Sequence, residues 1–191
     1  MNIFVLDRNP QQSATYHCDV HVVSQLKEAA QIMSTACHLM GVWAKGMNRP
    51  THAAHPCVVW ATKSLENLEW LNDLAFHLNN EFRLRREARG VVAVDHKSVD
   101  VTTFCWATAV ARRNRQKVPG QAMTAFAQAM PDRYRQDDPV AAYRAYYQGE
   151  KHLLRDSKGR MVEPQWTMRG PPSWWCPLDG FDLIEPEWED L

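Results

Sequence analysis

The apolar positions of this chain fall into long helical runs separated by short polar breaks. Val22, Val23, Leu26, Ala29, Ala30, Met33, Ala36, Cys37 and Met40 share one side of a helix covering about residues 11–40, because side chains three and four apart stack on one face. A break near Cys18-Asp19 fits the pattern, with Asp19 as the N-cap, and Gly41 is a natural stop. Val59, Leu65, Leu68, Leu71, Leu74, Ala75, Leu78 and Phe82 repeat the spacing and predict a second helix over about 58–88, ended by Gly90. A third helix is predicted over 98–113, although Val99, Val101, Thr102 and Thr103 are β-branched. A short helix over 124–129 and a last one over 138–154 follow, the latter with Asp138 as cap and Pro139 in its first turn. Ile3–Leu6 and Val91–Val94 read as extended, 44–57 as a loop and Pro119-Gly120 as a turn. The expected fold is mainly α: a single-domain helical bundle over 1–158 with a short N-terminal extended segment. An irregular Trp- and Pro-rich tail over 159–191 would pack on the bundle or project from it.

The polar side of the first helix changes the picture from fold to chemistry. His17, His21, Ser24, Glu28, Gln31, Thr35 and His38 fall within an arc of roughly 100°. A solvated face is normally rich in Lys, Glu and Arg paired four apart. This one carries groups that transfer protons, bind metals or hydrogen-bond a polar ligand, and it reads as the wall of a site. His17 and His21 stand about 6 Å apart on a helix, close enough to share a divalent ion. His77 and Glu81 have the same spacing on the second helix and can complete such a set from a facing position. A possible divalent metal therefore belongs to the expectation, with His17, His21, His77 and Glu81 as ligands.

Other groups add to this site. His52 and His55 lie in the loop before a helix and can act as acid, base or substrate contacts near neutral pH. Cys57 follows at a helix start, where a thiol can be acidified, although a buried apolar role is the simpler reading. Arg83, Arg85, Arg86 and Arg89 form one basic cluster, followed by His96-Lys97-Ser98, and Arg112, Arg113, Arg115 and Lys117 form another. Arg85 and Arg89 share a face with His77 and Glu81, so with Lys97 they are the expected phosphate contacts, leaving Arg83 and Arg86 solvated. Tyr143, Tyr146 and Tyr147 form a stripe suited to core packing or to base stacking.

Composition narrows the function classes. Lys plus Arg equals Asp plus Glu at 22 each, so no global positive field draws nucleic acid. The stretch Asp179–Asp190 has six acids and no base, beside Trp174, Trp175 and Trp188. Five scattered cysteines without a Cys-x-x-Cys pair argue against a disulfide framework or a zinc module, and point to a reducing cytosol. The N-terminus lacks a basic signal-peptide region, no apolar run reaches membrane-spanning length, and no membrane partner is expected. A P-loop, GxGxxG, GxSxG and EF-hand loop are absent from the sequence.

A set of short motifs carries a resemblance. Met1-Asn2-Ile3-Phe4-Val5-Leu6-Asp7, His17-Cys18-Asp19-x-His21-Val22-Val23, Glu28-x-x-Gln31 and His52-x-x-His55-Pro56-Cys57-x-x-Trp60 come first. Asn67-x-x-Trp70-Leu71, His96-Lys97-Ser98, Phe126-Ala127-Gln128-Ala129-Met130-Pro131 and Ala142-Tyr143-Arg144-x-Tyr146-Tyr147 follow. Together, over about residues 1–155, they resemble a family of small proteins of tailed bacteriophages to which no activity is attached. The resemblance implies a phage gene product acting in the host bacterial cytoplasm. Val20 and Ser24 stand where the family pattern often has lysine, which counts against a phosphate or proton role for that part of the helix.

The expected function is a helical enzyme acting on a nucleotide or DNA base. His17, His21, Glu28 and Gln31 would line its pocket, Glu28 and one histidine would form the acid–base pair, and His52 and His55 would close it. The alternative is a non-enzymatic binding protein, either a DNA-binding accessory or an inhibitor of a host protein, using the aromatic acidic tail. A histidine face buried in a pocket favours the enzyme; an exposed face and a projecting tail favour the binding protein.

Overall fold

The break near residue 18 divides the first helical run in two: α1 spans Pro10–Tyr16 and α2 spans Asp19–Leu39. The computed structural model describes residues 1–113, 122–155 and 159–176. Arg115, Lys117, the Pro119-Gly120 turn, Trp188 and the acids of Asp179–Asp190 lie outside the described residues. Asn9 caps α1, its side chain accepting the Gln12 N–H at 3.1 Å, with Pro10 in the first turn. Cys18, not Asp19, is the N-cap of α2. Asp19 lies inside the first turn, and its carboxylate is spent on partners from elsewhere in the chain.

The run expected over 58–88 is likewise two helices, α3 (Pro56–Ala61) and α4 (Leu65–Ala88). The Ser64 side chain accepts the Asn67 N–H at 3.1 Å and so starts a new helix. Gly41 and Gly90 close α2 and α4 with the same device. Each has a positive φ, and the residue after it donates to a carbonyl one turn back: Val42 to Cys37 at 2.8 Å, Val91 to Arg86 at 3.0 Å. Helix α5 spans Lys97–Arg112, and α6 spans Pro139–Glu150 with Asp138 as its cap.

Residues 124–129 are not helical. Tertiary bonds hold them instead: Thr124 exchanges two bonds with Asn67, and the Tyr143 hydroxyl donates to the Ala127 carbonyl at 2.8 Å. Phe126 packs against Trp60 and Trp70. Val91–Val94 joins no strand, and three of its four residues are exposed. Among the described residues the one antiparallel ladder is β1 (Leu154–Arg155) with β2 (Met161–Val162).

Helix α4 is the centre of the bundle, packed on α1, α2 and α5. Leu68, Leu71, Leu74 and Leu78 meet Leu26, Ile32 and Met33 of α2 in the core. The architecture is mainly helical, as the periodicity predicts. Ile3–Leu6 is fully inside this core yet belongs to no sheet. Trp166, Trp174 and Trp175 pack back on the bundle against Tyr16 and Tyr147, and the Trp166 indole donates to the Tyr16 carbonyl at 2.9 Å. Among the described residues no helix is long and apolar enough to cross a membrane.

Candidate functional site

The polar face of α2 is covered by the protein's own chain. A segment threaded through a helical core has backbone N–H groups with no ladder to join, and each must find a side chain. Gln25 accepts the Phe4 N–H at 2.9 Å and donates to the Asn2 carbonyl at 3.1 Å. Glu28 accepts the Asn2 N–H and a bond from Gln25. Ser13 of α1 accepts the Leu6 N–H at 3.2 Å. One turn further along, Gln31 donates to the Arg49 carbonyl at 2.8 Å, and Thr35 accepts the Thr51 N–H at 3.2 Å. His38 ends the face and is exposed.

The two histidines of this face are structural in the same sense. His17 is the C-cap of α1; its Nδ1 lies 2.7 Å from the Ser13 carbonyl, so the ring donates there and Nε2 is a bare lone pair. That Nε2 is buried without a partner among the described residues. Burial lowers the His17 pKa to about 3, with His21 and Arg85 adding repulsion and the Ser13 bond opposing. His21 Nδ1 faces the Tyr147 hydroxyl at 2.6 Å and Cys18 Sγ at 3.2 Å, and burial lowers its pKa to about 4. Tyr147 accepts the Cys18 N–H at 3.0 Å and donates to His21. Cys18 beside His21 resembles a nucleophile–base pair, but burial raises the thiol and lowers the imidazole, so both rest neutral. Phe4 packs its ring against His17, His21 and Tyr147, filling the space between them.

The loop histidines have local duties. His55 is the N-cap of α3, and its Nδ1 accepts the Cys57 N–H at 3.2 Å. His96 repeats the arrangement on α5 with the Ser98 N–H at 3.2 Å. A capping imidazole must be neutral to accept, and burial lowers both pKa values. His52 is exposed, at positive φ, beside the Thr51 hydroxyl at 2.9 Å. Cys57 is buried, and its thiol is pushed up to about 11 by burial, so the helix start does not acidify it.

The basic cluster divides differently from the expectation. Arg85 is only 3% exposed. It pairs with Glu81 at 2.9 Å and Asp19 at 3.0 Å, and donates to the His17 carbonyl at 2.7 Å. Its guanidinium thus ties the α1–α2 break to α4 and has no face left for a phosphate. Arg89 meets Asp19 and Thr167, and Arg169 grips both oxygens of Glu81. Arg86 stacks on Phe82. Lys97 is exposed at the start of α5. Glu81 is therefore saturated by arginines. Among the described residues no three His, Cys, Asp or Glu side chains form a metal-holding group, so His17, His21, His77 and Glu81 do not converge as a ligand set.

An open groove of about 410 Å³ lies instead between α1, α4 and the tail segment. Helix α4 supplies His77, Asn80, Glu81, Arg83, Leu84 and Glu87; Gln11 and Thr15 face them from α1, with Ala93 and Arg169 at the rim. The side chains of Gln11, His77, Asn80 and Glu87 make no hydrogen bond among the described residues, and Arg83 has one long ion pair, 3.6 Å to Asp95. Sequence reasoning placed His77 and Glu81 here for another purpose and set Arg83 aside as solvated. Asn80 and Glu87 were legible as a stripe with His77 and Leu84 on one face of α4. Arg169 carried no signal, because nothing local fixes where the tail returns. No family model, curated protein or solved structure matches the chain.

Proposed function

We propose that the protein binds a nucleic-acid-derived ligand, a nucleotide or a DNA segment, in the groove between α1 and α4. The observation that carries the reading is a concave space of about 410 Å³ lined in part by Gln11, His77, Asn80 and Glu87, whose side chains make no hydrogen bond among the described residues. Buried or partly buried polar groups are normally hydrogen-bonded within the fold. His77 and Asn80 are the half-buried groups that face the hollow without a bond, and a ligand there would supply one; Gln11 and Glu87 are exposed at its edge. Arg83, whose one ion pair to Asp95 is long at 3.6 Å, is the cation in this lining that supports a phosphate contact. The resemblance to tailed-phage proteins supports a setting in the host bacterial cytoplasm.

This reading is one of binding rather than turnover. The acid–base candidates His17, His21, Glu28 and Gln31 are committed to the protein's own backbone and side chains, and none of them lines the groove. A host protein as partner is favoured by a separate observation, the exposed apolar run of Leu84, Val91, Val92 and Val94 at the same edge.

Thermal-shift and calorimetric titration of the full chain with nucleotides and a short single-stranded DNA tests the proposal. A ligand that raises Tm, and loses that effect in Arg83→Ala and Asn80→Ala, supports it. Absence of binding by every nucleotide and by DNA overturns it and moves the weight to the protein-partner reading.

A further inference from the structure

We propose that a second surface, formed by the loop after α2 and the C-terminal half of α5, binds single-stranded nucleic acid. Lys45, Arg49, Arg112 and Arg113 hold the phosphate backbone, and Trp43 and Phe104 stack on bases. None of these residues lines the groove between α1 and α4.

The charge balance of the chain is global and not local. Residues 29–65 hold Lys45, Arg49 and Lys63, and residues 101–131 hold Arg112, Arg113, Arg115 and Lys117, with no Asp or Glu in either stretch. Because acids and bases number 22 each over the whole chain, the remainder carries the matching negative excess. Charge divided in this way offers one face to a polyanion while the molecule stays neutral. The fold brings the two stretches together. Helices α2 and α5 run side by side: Cys37 Sγ donates to the Cys105 carbonyl at 3.7 Å, and at their ends Arg112 donates to the Val42 carbonyl at 3.4 Å. The Phe104 ring lies against Gly46, where an added Cβ would stand 3.4 Å from it.

The positive charge here is not spent within the fold. Lys45, Arg49, Arg112 and Arg113 make no ion pair among the described residues. Arg83, Arg85, Arg89 and Arg169 each face a carboxylate. The carbonyls at the ends of α2 and α5 draw nearby cations, which accounts for Arg112 and Arg113. Lys45 and Arg49 stand outside both helices and have no such role.

The aromatic rings are a second, independent observation. Trp43 is 39% exposed and Phe104 is 40% exposed. Both are held in place, Phe104 by Gly46 and Trp43 by the bond from its indole to the Asn48 carbonyl at 3.1 Å. A ring that is already fixed loses little freedom on binding. Cations set among open aromatic faces are what a single strand requires, with backbone on the cations and bases on the rings. A duplex keeps its bases stacked inside and engages the cations alone.

The test is fluorescence anisotropy of a labelled twelve-nucleotide oligothymidylate titrated with the full chain across a range of salt. A duplex of the same length and polyglutamate are the comparisons. Binding should weaken with salt, and Lys45→Ala and Arg112→Ala should each reduce the log–log slope by about 0.7. Trp43→Leu should weaken the strand about fivefold or more, the size of one stacked base, and Trp43→Phe should restore most of the loss. Phe104→Leu gives the same reading if Trp43→Leu lowers Tm. Arg83→Ala should leave strand binding unchanged. Duplex or polyglutamate binding as tightly as the strand, or a strand indifferent to Trp43→Leu and Phe104→Leu, overturns the proposal and leaves a plain cationic patch. Strand binding lost in Arg83→Ala and kept in Lys45→Ala also overturns it, while supporting the groove. No strand binding at all overturns it, and the groove reading then rests on free nucleotides alone.

Discussion

Helices α2 and α4 each present a polar face, and the two faces have opposite fates. On α2 the polar groups from His21 to Thr35 that the face turns inward meet the protein itself: Phe4 and Asn2 backbone, Tyr147, the carbonyl of Arg49, the N–H of Thr51. On α4 the face bearing His77, Asn80 and Glu87 meets a hollow. Residue type does not separate the two cases. Histidine, amide and carboxylate occur on both. What separates them is whether another part of the chain returns with unpaired backbone groups. Ile3–Leu6 does so at α2, because an apolar segment buried outside any sheet must satisfy its amides with side chains. Opposite α4, the exposed Gly90–Val94 turn and the tail at Arg169 border the space without filling it.

The largest effect that tests the comparison is acid. His17 and His21 are held below their ordinary value of 6.5, at about 3 and about 4, mainly by burial. The unfolded chain therefore takes up protons before the folded one. Their contribution is fully present above pH 6.5, falls as pH drops below it, and continues to fall until the folded values are reached. Each ring costs about 1.4 kcal/mol per pH unit in that window, so stability should fall by about 2–3 kcal/mol per unit between pH 6 and pH 4.5. Urea unfolding across this range measures the slope. A flat profile down to pH 5 would mean the rings protonate in place, and would return the α2 face to the status of an accessible site.

Substitution at Arg85 comes next. Removing the guanidinium leaves Glu81 and Asp19 with weakened partners in a largely buried setting and frees the carbonyls of His17 and Thr15. Breaking one member of such a network costs about 3–5 kcal/mol. Arg85→Ala should therefore lower the folding stability sharply, and Arg83→Ala two residues away should not. Equal, small losses from the two variants would make the cluster an ordinary charged surface.

The unequal legibility of these regions has a physical basis. Helical periodicity reports which face is buried, so the bundle, the break near Cys18 and the caps at Asp138 and Gly41 could be read locally. The Ser64 cap was present in sequence as Ser64-x-x-Asn67, but the unbroken Leu65–Leu78 stripe masked it. Residues 124–129 have alanine-rich helical character, yet Asn67 and Tyr143 capture their backbone groups over long range. Polar face composition showed that α2 had partners. It did not show that the partners were residues 2–4, because the same groups serve backbone and ligand equally. Arg169 enters the groove only through the return of the tail, which no local pattern encodes.

A smaller effect sharpens the role of Glu28. Its carboxylate accepts from the Asn2 backbone and from Gln25. Glu28→Ala leaves those donors unsatisfied at a partly buried position, at about 1–3 kcal/mol, and should loosen the N-terminal segment. Faster amide exchange at Asn2 and Phe4, with ligand binding in the groove unchanged, is the expected result. Lost binding with unchanged stability would show that the carboxylate serves a ligand after all.

The smallest stability effect belongs to the groove itself. Asn80 is half-buried on α4 and its amide bonds nothing among the described residues, so the folded state gains little from it. Alanine is also the better helix former, by up to about 0.7 kcal/mol. Asn80→Ala should leave folding stability unchanged or slightly raised, within about 0.5 kcal/mol, while weakening the ligand. The equivalent amide on the other face, Gln25, is fully buried and holds two backbone groups, and Gln25→Ala should cost more stability than Asn80→Ala by at least the value of an unmade buried bond, about 1–3 kcal/mol. Chemical unfolding of the two variants side by side decides the matter. If Asn80→Ala destabilises as much as Gln25→Ala, the groove amide has a structural partner, and the contrast between a face that binds the chain and a face that borders an open hollow is lost.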